Sequence, residues 1–184
     1  MNTTGIIILI VLVAAAAGIA TFVYLSKRSQ RLRSRFGPEY NRAVEETGSK
    51  YRAESKLEKL EKRVDKLSIH PLQPEEVSRF RDSWRVIQAG FVDDPRTALA
   101  EADRLLGEAM SARGYPVADF EERSAEMSVN HALVVEHYRA GHEIALRHAE
   151  GQASTEEMRQ AMIHYRTLFD DLVGAPDIAH ARGA

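Results

Sequence analysis

Residues 5–25 read GIIILIVLVAAAAGIATFVYL, an uncharged run of twenty-one residues that stops against Lys27, Arg28, Arg31, Arg33 and Arg35. At ~1.5 Å of rise per helical residue, a run of this length reaches across the ~30 Å hydrocarbon core of a bilayer. Only Thr21 and Tyr24 within it carry polar side-chain atoms. Such a chain has to divide into a part solvated by lipid and a part solvated by water. The reading is a transmembrane anchor over 1–26 followed by a basic juxtamembrane segment over 27–38. A cleaved secretory signal has the reverse order, with positive charge ahead of an apolar stretch of about 7 to 15 residues. Here the leading MNTT has no cation. By the positive-inside rule the five cations hold the C-terminal flank in the cytoplasm. The expected location is the cell (inner) membrane, single-pass, with the N-terminus outside and the C-terminal domain cytoplasmic. The same cations are expected to contact the membrane surface, each attracted to anionic headgroups by about 1 kcal/mol.

The net charge of −2 conceals an asymmetry, because the five cations between 27 and 35 leave −7 for everything else. A nucleic-acid partner for the water-soluble part therefore lacks an electrostatic motive. Cysteine is absent, which suits a reducing compartment but also a periplasmic domain without disulfides.

Downstream, apolar periodicity is helical throughout, and no window alternates over enough residues to argue for a sheet. Gly37-Pro38 is the first break. A polar stalk helix is predicted over 39–68, in which Leu57, Leu60, Val64 and Leu67 are spaced three, four and three apart like the seam of a short coiled coil. That stripe either pairs with a second copy or folds onto the downstream domain. The two prolines of Ile69 to Pro74 end the stalk. Val77, Phe80, Trp84, Ile87 and Phe91 then form a heavy apolar stripe on one face. Asp94 and Pro95 open a helix that carries Leu99, Ala102, Leu105, Leu106, Ala109 and Met110, and Gly114 and Pro116 stop it. VADFEERSAEMS allows a short helix with Phe120 and Met127 inward. Asn130 is the expected cap of a helix to about Glu150, with Leu133, Val134, Gly141, Ile144, Ala145 and Ala149 as its inner face and Gly151 as its end. Ser154 and Glu157 form a capping box for a last helix through Leu172. The fold class is all-α: a transmembrane helix, a long polar stalk helix, and an antiparallel bundle of about four helices over 74–173, followed by a flexible tail over 174–184.

Catalytic and cofactor signatures are scarce. His131, His137, His142 and His148 share one predicted helix, but partners on one side are eleven residues apart, whereas a helical metal site wants ligands three or four apart. HEIALRH at 142–148 is two residues too long for H-E-x-x-H, and no Glu-x-x-His pair suggests a di-iron bundle. Histidines at the surface or a core edge, His164 among them, are the better account. Asp93-Asp94 is explained by capping and Asp170-Asp171 by a solvated helix face. Neither G-x-S-x-G nor a phosphate-binding glycine motif occurs, so no cofactor and no catalytic activity are expected.

In the apolar run, Ala14 and Gly18 are spaced as small residues that let a second helix approach, an association face that could act together with Leu57, Leu60, Val64 and Leu67. The segments F-V-D-D-P at 91–95, R-G-Y-P-V-A-D-F-E at 113–121 and H-Y-R-A-G-H at 137–142 resemble an uncharacterised bacterial family. Its members are labelled membrane or secreted proteins, and the resemblance extends over most of residues 35–172. It implies no activity, cofactor or site residue. The resulting expectation is a membrane-tethered helical interaction or scaffold module, bound to the lipid bilayer, that docks a protein partner or a second copy. One alternative is a small ligand- or metal-binding bundle, or a hydrolase, using the histidine-bearing helix 130–150. Another is an envelope-facing domain of inverted topology.

Overall fold

The computed structural model describes residues 3–116, 119–150 and 152–174. They form eight helices and no strand: α1 (Thr3–Phe36), α2 (Pro38–Thr47), α3 (Lys50–Val64), α4 (Pro74–Gly90), α5 (Pro95–Ala112), α6 (Phe120–Ser128), α7 (Ala132–Ala149) and α8 (Thr155–Gly174). The protein is all-α. The tail from Ala175, the stop assigned to Gly151 and the burial of Ala149 lie outside the described residues. Two compact units divide between Glu58 and Lys59, inside α3, so the proline-rich break at 69–74 falls within the second unit.

In the first unit the apolar helix continues without interruption through the basic segment to Phe36. One side of that continuation is buried, at Ser29, Leu32 and Phe36, a spacing of three and four. The stretch expected to be one stalk helix is two. Gly48 takes the left-handed conformation at φ 61°, its N–H donating to the Val44 carbonyl, and so closes α2 before α3 begins. Of the leucine stripe, Leu57 at the end of this unit is 4% exposed, and Leu60 and Val64 at the start of the second unit are 9% and 3% exposed.

In the second unit one apolar core joins α4, α5, α7 and α8, with Met127 of α6 and Tyr115 also buried in it. Trp84 of α4 stacks on Phe169 of α8 at 4.6 Å between ring centres. The proline-bearing segment after α3 lies along this core, with Leu67, Ile69 and Leu72 packed against it and the His70 N–H donating to the Arg113 carbonyl. Helix starts follow local chemistry. The Asp94 carboxylate accepts from the Thr97 N–H at 3.1 Å, Glu76 accepts from the Gln73 N–H at 3.0 Å, and Ser154 and Glu157 exchange bonds at 2.8 and 3.2 Å. The cap of α7 is His131 rather than Asn130, whose amide instead donates to the Tyr115 hydroxyl.

The α7–α8 contact is the most extensive. Arg147 meets Glu157, Gly141 meets Ala161 and Tyr165, His137 meets His164, and His131 meets Asp171. Contacts that step backward along α7 step forward along α8, so this pair runs antiparallel. A Cβ on Gly141 would stand 2.7 Å from Tyr165 ring carbons and 3.3 Å from the Ala161 carbonyl oxygen, so the close approach requires glycine. That approach turns Val135, Tyr138 and Gly141 inward, while Leu133, expected inside, is 79% exposed. Truncating Trp84 to Ala removes the stack on Phe169 from a closed core. We expect a loss of roughly 3–5 kcal/mol in the second unit, measured by denaturant unfolding of the full chain in mild detergent; an unmoved transition would remove Trp84 from the core.

Candidate functional site

Four features have the geometry of functional sites. The first is the apolar part of α1. It is the one helix among the described residues long and apolar enough to cross a membrane, and every residue from Ile10 to Lys27 is exposed, Ala14 and Gly18 included. Nothing lies within 4 Å of a Cβ built on Gly18. Side chains this apolar are stable in lipid or against another apolar helix, and not in water.

The second is the base of that helix, where the five cations diverge. Lys27, Arg31 and Arg33 are exposed and Arg35 is half-buried. Arg28 turns inward: its Nε and Nη2 donate to the two carboxylate oxygens of Glu58 at 2.7 and 2.8 Å. Glu54, 4% exposed, accepts hydrogen bonds from the hydroxyls of Ser29 at 2.6 Å and Tyr40 at 2.9 Å, with Arg28 Nη1 3.9 Å away. These bonds tie α1, α2 and α3 together. Arg33 lies 5.0 Å over the Tyr40 ring.

The third feature is the set of histidines on α7, each with a different partner. His131 is buried and bonded to the Asp171 carboxylate. The His137 and His164 Nδ1 atoms are 2.9 Å apart across the α7–α8 contact. His142 lies flat on Phe120, ring centres 3.6 Å apart, and its Nδ1 is 4.0 Å from Asp103. His148 Nδ1 approaches the Ala153 carbonyl at 3.4 Å. Asp103 of α5 also accepts from the Tyr138 hydroxyl at 3.4 Å and faces Arg123 at 3.8 Å. Burial, followed by the nearby Asp103 charge, pushes the Tyr138 and Tyr165 phenols far above their usual range. At 4.0 Å, Asp103 does not orient His142 by a hydrogen bond. Among the described residues no group of three or more His, Asp or Glu side chains is arranged to hold a metal.

The fourth is a groove of about 210 Å³ between α4 and α8, lined by Gln88, Phe91, Arg159, Met162, Ile163 and Arg166. Its apolar floor is partly uncovered, with Ile163 44% exposed. Arg159 and Arg166, two turns apart, stand beside it, and each is held on its own helix, by Glu156 and by Asp170.

The comparisons with known proteins are negative. No family model matches the chain, and no curated protein or solved structure is significantly similar to it.

Two histidines give the second unit an acid sensitivity. Burial, and then the charge of His137, lowers the pKa of His164; burial lowers that of His142, against the raising effect of Asp103. An unfolded histidine takes up its proton near pH 6.5, so between that value and the lower folded pKa the unfolded chain binds more protons. Stability due to these groups is therefore intact above about pH 6.5 and declines as the pH falls below it. Glu156, held by Arg159, and Glu157, held by the Ser154 N–H, titrate only at about 2 and do not contribute in that window. His164→Gln is expected to flatten the fall in melting temperature between pH 7 and 5.5, and a slope identical to the parent's would contradict this assignment.

Proposed function

We propose that this chain is a single-pass, membrane-tethered helical interaction module of a bacterial inner membrane, without catalytic activity of its own. Its second unit, taken as an antiparallel bundle of four main helices, docks a protein partner near the inner membrane surface. The observation that carries the reading is the uncovered apolar surface of α1 from Ile10 to Leu25, which only a non-aqueous environment satisfies. The cations that follow it support an orientation with the C-terminal part in the cytoplasm. The docking surface is the α4–α8 groove. Phe91, Met162 and Ile163 offer a seat for one large apolar side chain, and Arg159 and Arg166 favour a partner helix that carries acidic residues beside that anchor.

Membrane tethering is tested by fractionation: the full chain should stay with membranes through alkaline carbonate, and a chain lacking residues 1–26 should not. Alkaline phosphatase fused after Ala184 should be inactive in the orientation proposed, whereas strong activity would invert it. Because the chain has no cysteine, a photo-crosslinker attached at Ile163→Cys is the sole label. It should give one dominant protein adduct in intact membranes, lost when Arg159 and Arg166 are both changed to Glu. An equal adduct from a label at Glu101→Cys on α5 would remove the groove as the docking surface.

A further inference from the structure

The imidazoles of His137 and His164 come from different helices, are both half-buried, and meet nitrogen to nitrogen at 2.9 Å. In a neutral pair at this distance one Nδ1 donates its hydrogen and the other accepts it. Two imidazoles bound to one tetrahedral ion at ~2.0–2.1 Å hold their nitrogens roughly 3.3 Å apart, so the pair needs to open by only about 0.4 Å to admit one. Side-chain rotation alone supplies that. The helices are fixed one turn away, where Gly141 lies against Tyr165 and Ala161, and their separation does not have to change.

We propose that His137 and His164 form a two-imidazole site for a late first-row divalent ion such as Zn²⁺, Ni²⁺ or Cu²⁺. When the ion binds, the ring that carried its hydrogen on Nδ1 changes tautomer and carries it on Nε2, so both rings stay neutral, no net proton is lost, and both Nδ1 lone pairs face the ion. Among the described residues no third histidine or carboxylate joins the pair, so water fills the remaining positions of the ion and leaves them exchangeable. The bound ion clamps α7 to α8, which stabilises the folded chain in proportion to its occupancy. This site is separate from the docking groove and does not depend on the interaction reading.

The test is a Zn²⁺ titration of the full chain in detergent by calorimetry, with Co²⁺ absorption as a second readout. One saturable equivalent is expected, weakened at least tenfold by His137→Gln and by His164→Gln separately and unchanged by His148→Gln. Tetrahedral Co²⁺ bands should appear in the parent and in neither variant of the pair. Zn²⁺ should also raise the melting temperature of the parent more than that of either pair variant. Glutamine keeps the packing volume at the helix contact, and each variant's helicity is checked by circular dichroism before titration. Parent-like affinity in either folded variant, or no saturable binding by the parent, overturns the proposal.

Discussion

The missing side chain at Gly141 lets α7 and α8 approach closely, and the contacts of the histidine pair between them are arranged by that distance. Because the Tyr165 ring lies against the Gly141 backbone, the imidazoles of His137 and His164 can meet one turn before it. A Cβ at this position would overlap the ring at 2.7 Å and crowd the Ala161 carbonyl oxygen at 3.3 Å. The ring alone could move, but the Ala161 carbonyl could not without disturbing its helix. Helix separation, and not histidine spacing along α7, therefore decides which imidazoles meet.

A different kind of constraint closes the first unit. Its inner face carries Leu32, Phe36, Tyr40, Ala43, Ala53 and Leu57, and a carboxylate sits among them at Glu54. Burying a charge costs several kcal/mol unless it is paired and hydrogen-bonded. Two hydroxyls donate to Glu54, and a guanidinium lies at 3.9 Å. The Ser29, Tyr40 and Glu54 side chains come from three helices, so the bond network forms only when all three are folded together.

Much of the helical framework was legible in the sequence, because it rests on local chemistry. The stripe of Phe80, Trp84 and Ile87, the Asp94 and Ser154 caps, and the positions inside α5 and α8 follow from 3.6-residue periodicity and turn residues. The stalk was misread at Gly48, where a left-handed glycine splits a pattern that helix propensity alone would carry through. Leu133 was misplaced because α7 is apolar on more than one side, and Val135 and Tyr138 turn inward with Gly141, which the pattern had placed there. Partners across helices were not legible at all. His164 as the mate of His137, Glu58 as the mate of Arg28 and Asp103 beside Arg123 are separated by 27, 30 and 20 residues, and no spacing rule links them. Arg159 and Arg166 share a face of α8 by their seven-residue spacing, but nothing in the sequence marked that face as the edge of a groove.

The cations after the apolar run answer two separate physical questions. Orientation is settled as a segment enters the membrane, when flanking Lys and Arg count and acidic residues contribute little. Glu58 lies thirty positions after Arg28, so a segment that inserts before α3 folds would carry Arg28 without that partner. All five cations thus act together in fixing the orientation we propose. Headgroup attraction acts on the folded protein instead, and there Arg28 is neutralised by a bidentate carboxylate and only 14% of its side chain is exposed. In the orientation we propose, adhesion to an anionic surface would fall to the exposed Lys27, Arg31 and Arg33, of which Arg31 also lies 3.9 Å from Glu58. On the topology we propose, Arg28 would serve twice, as one of the cations that set the orientation and, in the folded chain, as the partner of Glu58 that holds α3 against α1.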